Sequence, residues 1–317
     1  MGILPIMTSL HLIRRSVMTT NYMDDDVLPE NWEEAFAFYT KVAEQGNAMV
    51  QRRLGYCYYH GKGTAQDFRQ AAFWVRKAAV QGDVTAQYNY GLLYKFGTGI
   101  AMDLVKAAEW FRKAAEQGFA PAQCALGKCY AFGHGVPEDL AQAAGWFRKS
   151  AAQGNAKAQY VLGFCYSKGE GVTKDLPKAA EWYQLAAEQG LADAQFSLGV
   201  YYEESSGGFD NLKKAVEWYQ KAADQGHAEA QFNLGNCYHK GNGVKKDLVK
   251  AVEWFRVAAE QGMAIAQRAL GCCYYTGTGV TADLPKATDW LRKAEQQGDA
   301  EAQHALDLVL CERNSCN

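Results

Sequence analysis

The stretch AKAQYVLGFCYSKGEGVTKDLPKAAEWYQLAAEQG, residues 156–190, decides the fold because it returns. Residues 228–262 repeat it as AEAQFNLGNCYHKGNGVKKDLVKAVEWFRVAAEQG. Working outward, Trp74, Trp110, Trp146, Trp182, Trp218, Trp254 and Trp290 recur every 36 residues without insertion or deletion. Gln51, Gln87, Gln123, Gln159, Gln195, Gln231, Gln267 and Gln303 keep the same step. So do Asp67, Asp103, Asp139, Asp175, Asp247 and Asp283, with Asn211 in the same slot of the fifth unit. A fixed period of this length is the mark of a stacked repeat architecture. Seven full repeats span 47–298. A half-repeat, 28–46, precedes them with Phe38 in the Trp slot, and another, 299–311, follows. Residues 1–27 are expected to be a poorly ordered or untranslated extension, and 312–317 a short tail.

Each unit reads as two helices. Ala86, Gln87, Tyr90, Gly91 and Tyr94 share one helical face at i, i+3, i+4, i+7 spacing. Gly97 and Gly99 stop that helix. Asp103 sits where an N-cap belongs, its carboxylate accepting from free amides of the next helix. Leu104, Ala107, Ala108, Phe111, Ala114 and Ala115 then mark a second buried face, and Gly118 ends it at the position that favours positive φ. Pro177 and Pro285 follow the capping Asp175 and Asp283, inside the first turn, where a missing N–H costs little. No period-two pattern persists, so the chain is expected to be all-α.

Gly91 and its equivalents lie mid-helix, at a cost of about 1 kcal/mol against Ala. Repeating that cost predicts close approach of the partner helix, with the alanines keeping the second helix thin. One helix pair cannot bury such faces alone, so the pairs must stack into a solenoid.

The recurrent A-x-A-Q-x-x-L-G-x-C-Y-x-x-G-x-G-V-x-x-D-x-x-K-A-x-E-W-x-x-K-A-A-E-Q-G resembles the Sel1-like repeat over roughly residues 28–311. The resemblance implies a right-handed α/α superhelix related to the tetratricopeptide repeat. It also implies a non-catalytic adaptor that binds proteins on a curved surface, in bacterial signalling, host interaction or protein quality control. A bacterial immunity protein that neutralises a toxin by binding is a further form of this role.

Charge and composition agree with a protein-binding role. The 33 basic and 35 acidic residues give a net charge of −2, which excludes the strongly basic footprint of a polyanion binder. With 48% apolar residues and little net charge, the chain is not a disordered one.

Slots that vary between repeats are free to serve a partner. On the first helix these fall at relative spacings of 4, 3 and 4, one helical stripe. The candidate partner-binding residues on it are Arg53, Tyr56, His60, Leu92, Phe96, Lys128, Phe132, Phe164, Lys168, Asn236 and Lys240. Its early part mixes aromatic and basic groups, the usual hot-spot types, and its later part turns polar through Asp193, Glu203, Glu204, Glu229 and Asn233. Packing of Phe96 and Phe132 between layers is the competing reading of those rings. The stripe is expected to form one surface on the concave side, binding a protein or peptide.

No catalytic or metal site is expected. Cys57, Cys129, Cys165, Cys237 and Cys273 share one slot beside the buried Tyr, as small core residues do. The resemblance implies, for secreted cysteine-rich relatives described as penicillin-binding or β-lactamase-like, disulfides between the second helix and the next unit. Here the second helices carry no Cys, so hydrolase activity remains only the alternative, and reduced thiols point to the cytoplasm. The six His form no i, i+4 pair. The Gly97-Thr98-Gly99 turns follow a helix rather than a strand, unlike a nucleotide fingerprint, so no cofactor is expected. Ser205-Ser206-Gly207-Gly208-Phe209 breaks the turn pattern of the fifth unit and reads as drift, the competing reading being a contact or a bend in the superhelix. No run of 18 apolar residues spans a membrane, and the chain is expected to act as a monomer without nucleic acid.

Overall fold

A computed structural model describes residues 31–315 apart from residue 206, with side chains to 311. The expectation for residues 1–27, and the start of the first half-repeat, lie outside the described residues. Among the described residues the chain forms sixteen helices and no strand. The chain divides into two compact units, Met1–Trp146 and Phe147–Asn317. Unit 1 holds α1 (Trp32–Ala43), α2 (Ala48–His60), α3 (Phe68–Val80), α4 (Val84–Phe96), α5 (Leu104–Glu116) and α6 (Ala120–Phe132). The division falls within α7 (Leu140–Ala152). Unit 2 holds α8 (Ala156–Lys168), α9 (Leu176–Glu188), α10 (Ala192–Glu204), α11 (Gly208–Asp224), α12 (Ala228–Lys240), α13 (Leu248–Glu260), α14 (Ala264–Thr276), α15 (Leu284–Glu295) and α16 (Ala300–Ser315). The last helix therefore continues past Cys311.

Within each unit every helix packs on the one before and the one after it, the stacking of an α/α solenoid. Local signals set the boundaries as the sequence implies. Asp103 Oδ1 accepts from the Lys106 amide at 3.0 Å, and Asp175 and Asp247 do the same for Lys178 and Lys250. Gly97 closes α4 in the left-handed region at φ 68°. The glycines after the second helices, such as Gly118 at φ 90°, take positive φ too.

The constant Gln is a repeated fastener. Gln51 Nε2 donates to the Ala43 carbonyl eight residues back at 3.0 Å, while its Oε1 accepts from Gln81 Nε2 at 2.7 Å. Gln87 repeats this with Ala79 and Gln117, and in unit 2 Gln231 does so with Ala223 and Gln261. Each of these Gln is buried, and each bond ties a first helix to the end of a flanking second helix. A buried amide must be partnered, and this one is partnered at both ends.

The mid-helix glycines do mark close approach. A methyl on Gly91 would lie 2.6 Å from the Phe111 ring, and one on Gly235 the same distance from Phe255. Leu54, Leu126, Leu162, Leu198, Leu234 and Leu270, all fully buried, fill the space beside that seam. Several second-helix Trp rings lie under a lysine three residues on. Lys113 Nζ sits 4.0 Å above the Trp110 ring and Lys221 Nζ 3.8 Å above Trp218, a cation–π contact that also shields the indole.

The fifth repeat requires a correction. Asn211 does not cap a helix: α11 begins at Gly208, so it is a turn longer than its counterparts and contains Asn211. Without the Gly-x-Gly-Val turn, Ser205 leaves α10 in extended backbone and Gly207 precedes α11 with no side-chain cap. The next helix is free to start early.

Candidate functional site

The first-helix stripe of unit 1 comes from α2, α4 and α6. On α2, Arg53 Nη1 donates to Tyr39 Oη at 3.2 Å, and Tyr56 stacks between Trp32 and His60 at 5.8 and 4.3 Å. Arg53 and Tyr56 thus brace the stripe against α1. On α4, Leu92 is half-buried, while Phe96 is 51% exposed, so its ring is not packed between layers. On α6, Lys128 and Phe132 are half-buried, and the Phe132 ring lies 5.6 Å from that of His134.

In unit 2, Phe164 is half-buried with Lys168 Nζ 6.0 Å above its ring, and Asn236 is half-buried on α12. Lys168 and Lys240 are exposed. Glu203 is exposed, and its carboxylate accepts a hydrogen bond from Tyr219 Oη at 2.6 Å. Asp193 and Glu229 flank the His227 ring at 3.5 and 3.4 Å, and that ring stacks on Phe196 at 4.7 Å. The slots nearer the helix starts are tighter than their variability implies: Thr85, Asn89 and Val161 are buried.

Lys95 on α4 escapes the reading of variable slots, and Asn89, which occupies one, is buried. Lys95 lies three residues past Leu92 and so shares its face. Its ammonium sits 5.3 Å over the Phe96 ring and approaches Cys124, Lys128 and Cys129 of α6. Burial holds it below the usual lysine value, and the like charge of Lys128 acts in the same sense. Asn89 is 5% exposed, and its Nδ2 has no hydrogen-bond partner.

Their neighbours explain both. In the fifth and sixth repeats the residues in these slots meet a tyrosine hydroxyl: Glu203 and Asn233 both bond Tyr219. Where α3 and α5 would supply that hydroxyl to Asn89 and Lys95, they carry Val75 and Phe111. The signal in sequence was a correlation between slots 14 and 16 residues apart, invisible to a slot-by-slot comparison.

The described residues contain no cluster of three His, Cys, Asp or Glu able to hold a metal. The slot cysteines are buried thiols, with Cys165 and Cys237 pushed up to about 12 by desolvation, the opposite of an activated nucleophile. No helix among the described residues is long and apolar enough to cross a membrane.

The fold defines an α/α repeat protein built from stacked helix pairs. A model of the Sel1 repeat matches residues 22–47, 48–83, 84–119, 120–155, 156–191, 192–227, 228–263 and 264–299. The chain belongs to the Sel1 repeat family. A Sel1 repeat protein from Oxalobacter formigenes is similar at 36% identity and TM-score 0.71, over 90% of this chain and 83% of that one. The protective antigen c5321 of uropathogenic Escherichia coli is similar at 32% identity over 90% of this chain and 77% of that one, with TM-score 0.48. The immunity protein Pa5087 of Pseudomonas aeruginosa shares 23% identity over 74% of this chain and 84% of that one, at TM-score 0.40. No curated protein matches the chain.

Proposed function

We propose that the chain is a non-catalytic scaffold that binds a protein or peptide partner on its first-helix stripe, on the concave side of the repeats. One observation carries the reading. The slots that fasten the fold, such as Gln51, Gly91 and Leu126, are spent on buried contacts, whereas the stripe varies and leaves large side chains open, Phe96 foremost. Aromatic and basic anchors set in a rigid frame bind with little ordering cost. The protein acts as a monomer, without nucleic acid or cofactor, and its buried thiols fit a reducing cytoplasm.

Affinity capture with mass spectrometry, comparing wild type with a Tyr56→Ala, Phe96→Glu, Phe164→Ala variant, tests this. The variant is expected to lose specific partners while keeping its helical circular dichroism. An identical set of captured proteins from a folded variant overturns the assignment of the stripe.

A further inference from the structure

The stripe of unit 1 has a polarity of its own. None of its variable positions on α2, α4 and α6 is acidic, while Arg53, Lys95 and Lys128 are cationic. Among the described residues, no carboxylate lies within ion-pair distance of Lys95 or Lys128. Like charges held side by side at a half-buried site are unfavourable unless an anion joins them. The burial of Lys95 sharpens the point, because a desolvated ammonium gains more from a carboxylate than a surface one does. Beside these groups stand the open ring of Phe96 and the half-buried Leu92 and Phe132.

We propose that unit 1 holds an acidic peptide segment between α4 and α6, its carboxylates paired with Lys95 and Lys128 and its apolar side chains against Leu92, Phe96 and Phe132. This deepens the scaffold reading and rests on it. The carboxylates supply the missing counter-ions, and alternating apolar residues reach the aromatic rim.

The test is fluorescence anisotropy with three labelled probes: a short peptide of alternating Glu and Leu, its Gln and Leu counterpart, and a single-stranded oligothymidylate. The Glu peptide is expected to bind wild type, more weakly as salt rises, and at least about tenfold more tightly than the Gln peptide. Lys95→Met and Lys128→Met are each expected to weaken it about tenfold while thermal stability stays unchanged or rises, because neither lysine has a carboxylate partner to lose. Equal binding of the two peptides overturns the proposal, as does tighter binding of the oligonucleotide. So does a Lys95→Met protein that unfolds more easily yet binds the Glu peptide as before. Affinity capture separates this inference from the broader reading. If Lys128→Met keeps every captured partner and Lys240→Glu loses them, the acidic-peptide site falls and the scaffold stands. If wild type captures nothing, the scaffold reading falls whatever the peptides do.

Discussion

Arg52 on α2 lies against Asp83, the residue that caps α4, with Nε 3.3 Å from Oδ1. The pair spans 31 residues, and the same offset joins Arg268 Nε to Asp299 at 2.9 Å. At two positions between them a pair of rings takes this place: Tyr88 and Phe119 at 5.6 Å, Phe196 and His227 at 4.7 Å. One geometric position thus latches one first helix to the start of the next, with chemistry that changes from repeat to repeat. Asp83 also accepts from the Ala86 amide at 2.7 Å, so it has two duties. Asp83→Asn keeps the cap and loses the charge, as Arg52→Ala does from the other side. Each is expected to cost about 1–2 kcal/mol in urea unfolding, and Asp83→Ala about 1 kcal/mol more, for the lost cap. Equal costs for Asp83→Asn and Asp83→Ala would show that the cap contributes nothing.

Two helical glycines should respond to alanine with opposite signs. A methyl on Gly235 meets Phe255 at 2.6 Å and the Ala251 carbonyl at 3.2 Å. Overpacking of that kind costs about 1–3 kcal/mol, which outweighs the helix-propensity gain of about 1 kcal/mol. Gly145 on α7 has nothing within 4 Å of its missing methyl. Gly145→Ala is therefore expected to stabilise by up to about 1 kcal/mol. Thermal melts of the two variants decide it, and a destabilised Gly145→Ala would refute the reading of that site as open.

The buried thiols predict alkaline sensitivity. Burial raises Cys57, Cys129 and Cys273 from 9.0 to about 11, and Cys165 and Cys237 to about 12. Between those values the unfolded chain has released thiol protons that the folded chain retains. The folded state binds more protons there, so stability falls as pH rises from about 9 towards 12, and is fully present below 9. Urea midpoints measured across this window should fall less steeply in a Cys165→Ala, Cys237→Ala protein than in wild type. Matching slopes would mean that these thiols do not contribute.

The fold was legible because its cost is repeated. A mid-helix Gly, a capping Asp and a C-terminal Gly every 36 residues leave only one geometry in which each is worth having. The bonding of the constant Gln was not legible, since its acceptor lies eight residues back and its donor thirty residues on, and neither offset is a helical neighbour. The stripe was legible as variation at helical spacing. Lys95 was missed because its significance lies in what residue 111 lacks: a Phe ring offers its ammonium no hydroxyl, whereas Tyr219 bonds Glu203 in the equivalent place. The placing of Asn211 inside α11 has a related reason. A slot filled by a good capping residue still depends on the turn before it.

That last point can be measured. Asp247 accepts from the Lys250 amide at 3.0 Å and stands at the start of α13, following a Gly241-x-Gly243-Val244 turn. Asn211 occupies the corresponding position in sequence, but it lies inside α11, where its side chain folds back over Gly207. Removing a side chain that satisfies a free helix amide costs about 1 kcal/mol. Removing an Asn from a helix interior costs nothing of that kind, and Ala is the better helix former by about 0.6 kcal/mol. Asp247→Ala is therefore expected to lower stability by about 1 kcal/mol, and Asn211→Ala to leave it unchanged or slightly raised. Parallel urea titrations of the two proteins give the answer. An equal loss at both positions would put the start of the fifth second helix at residue 212, in line with the other repeats, and remove the extra turn of α11.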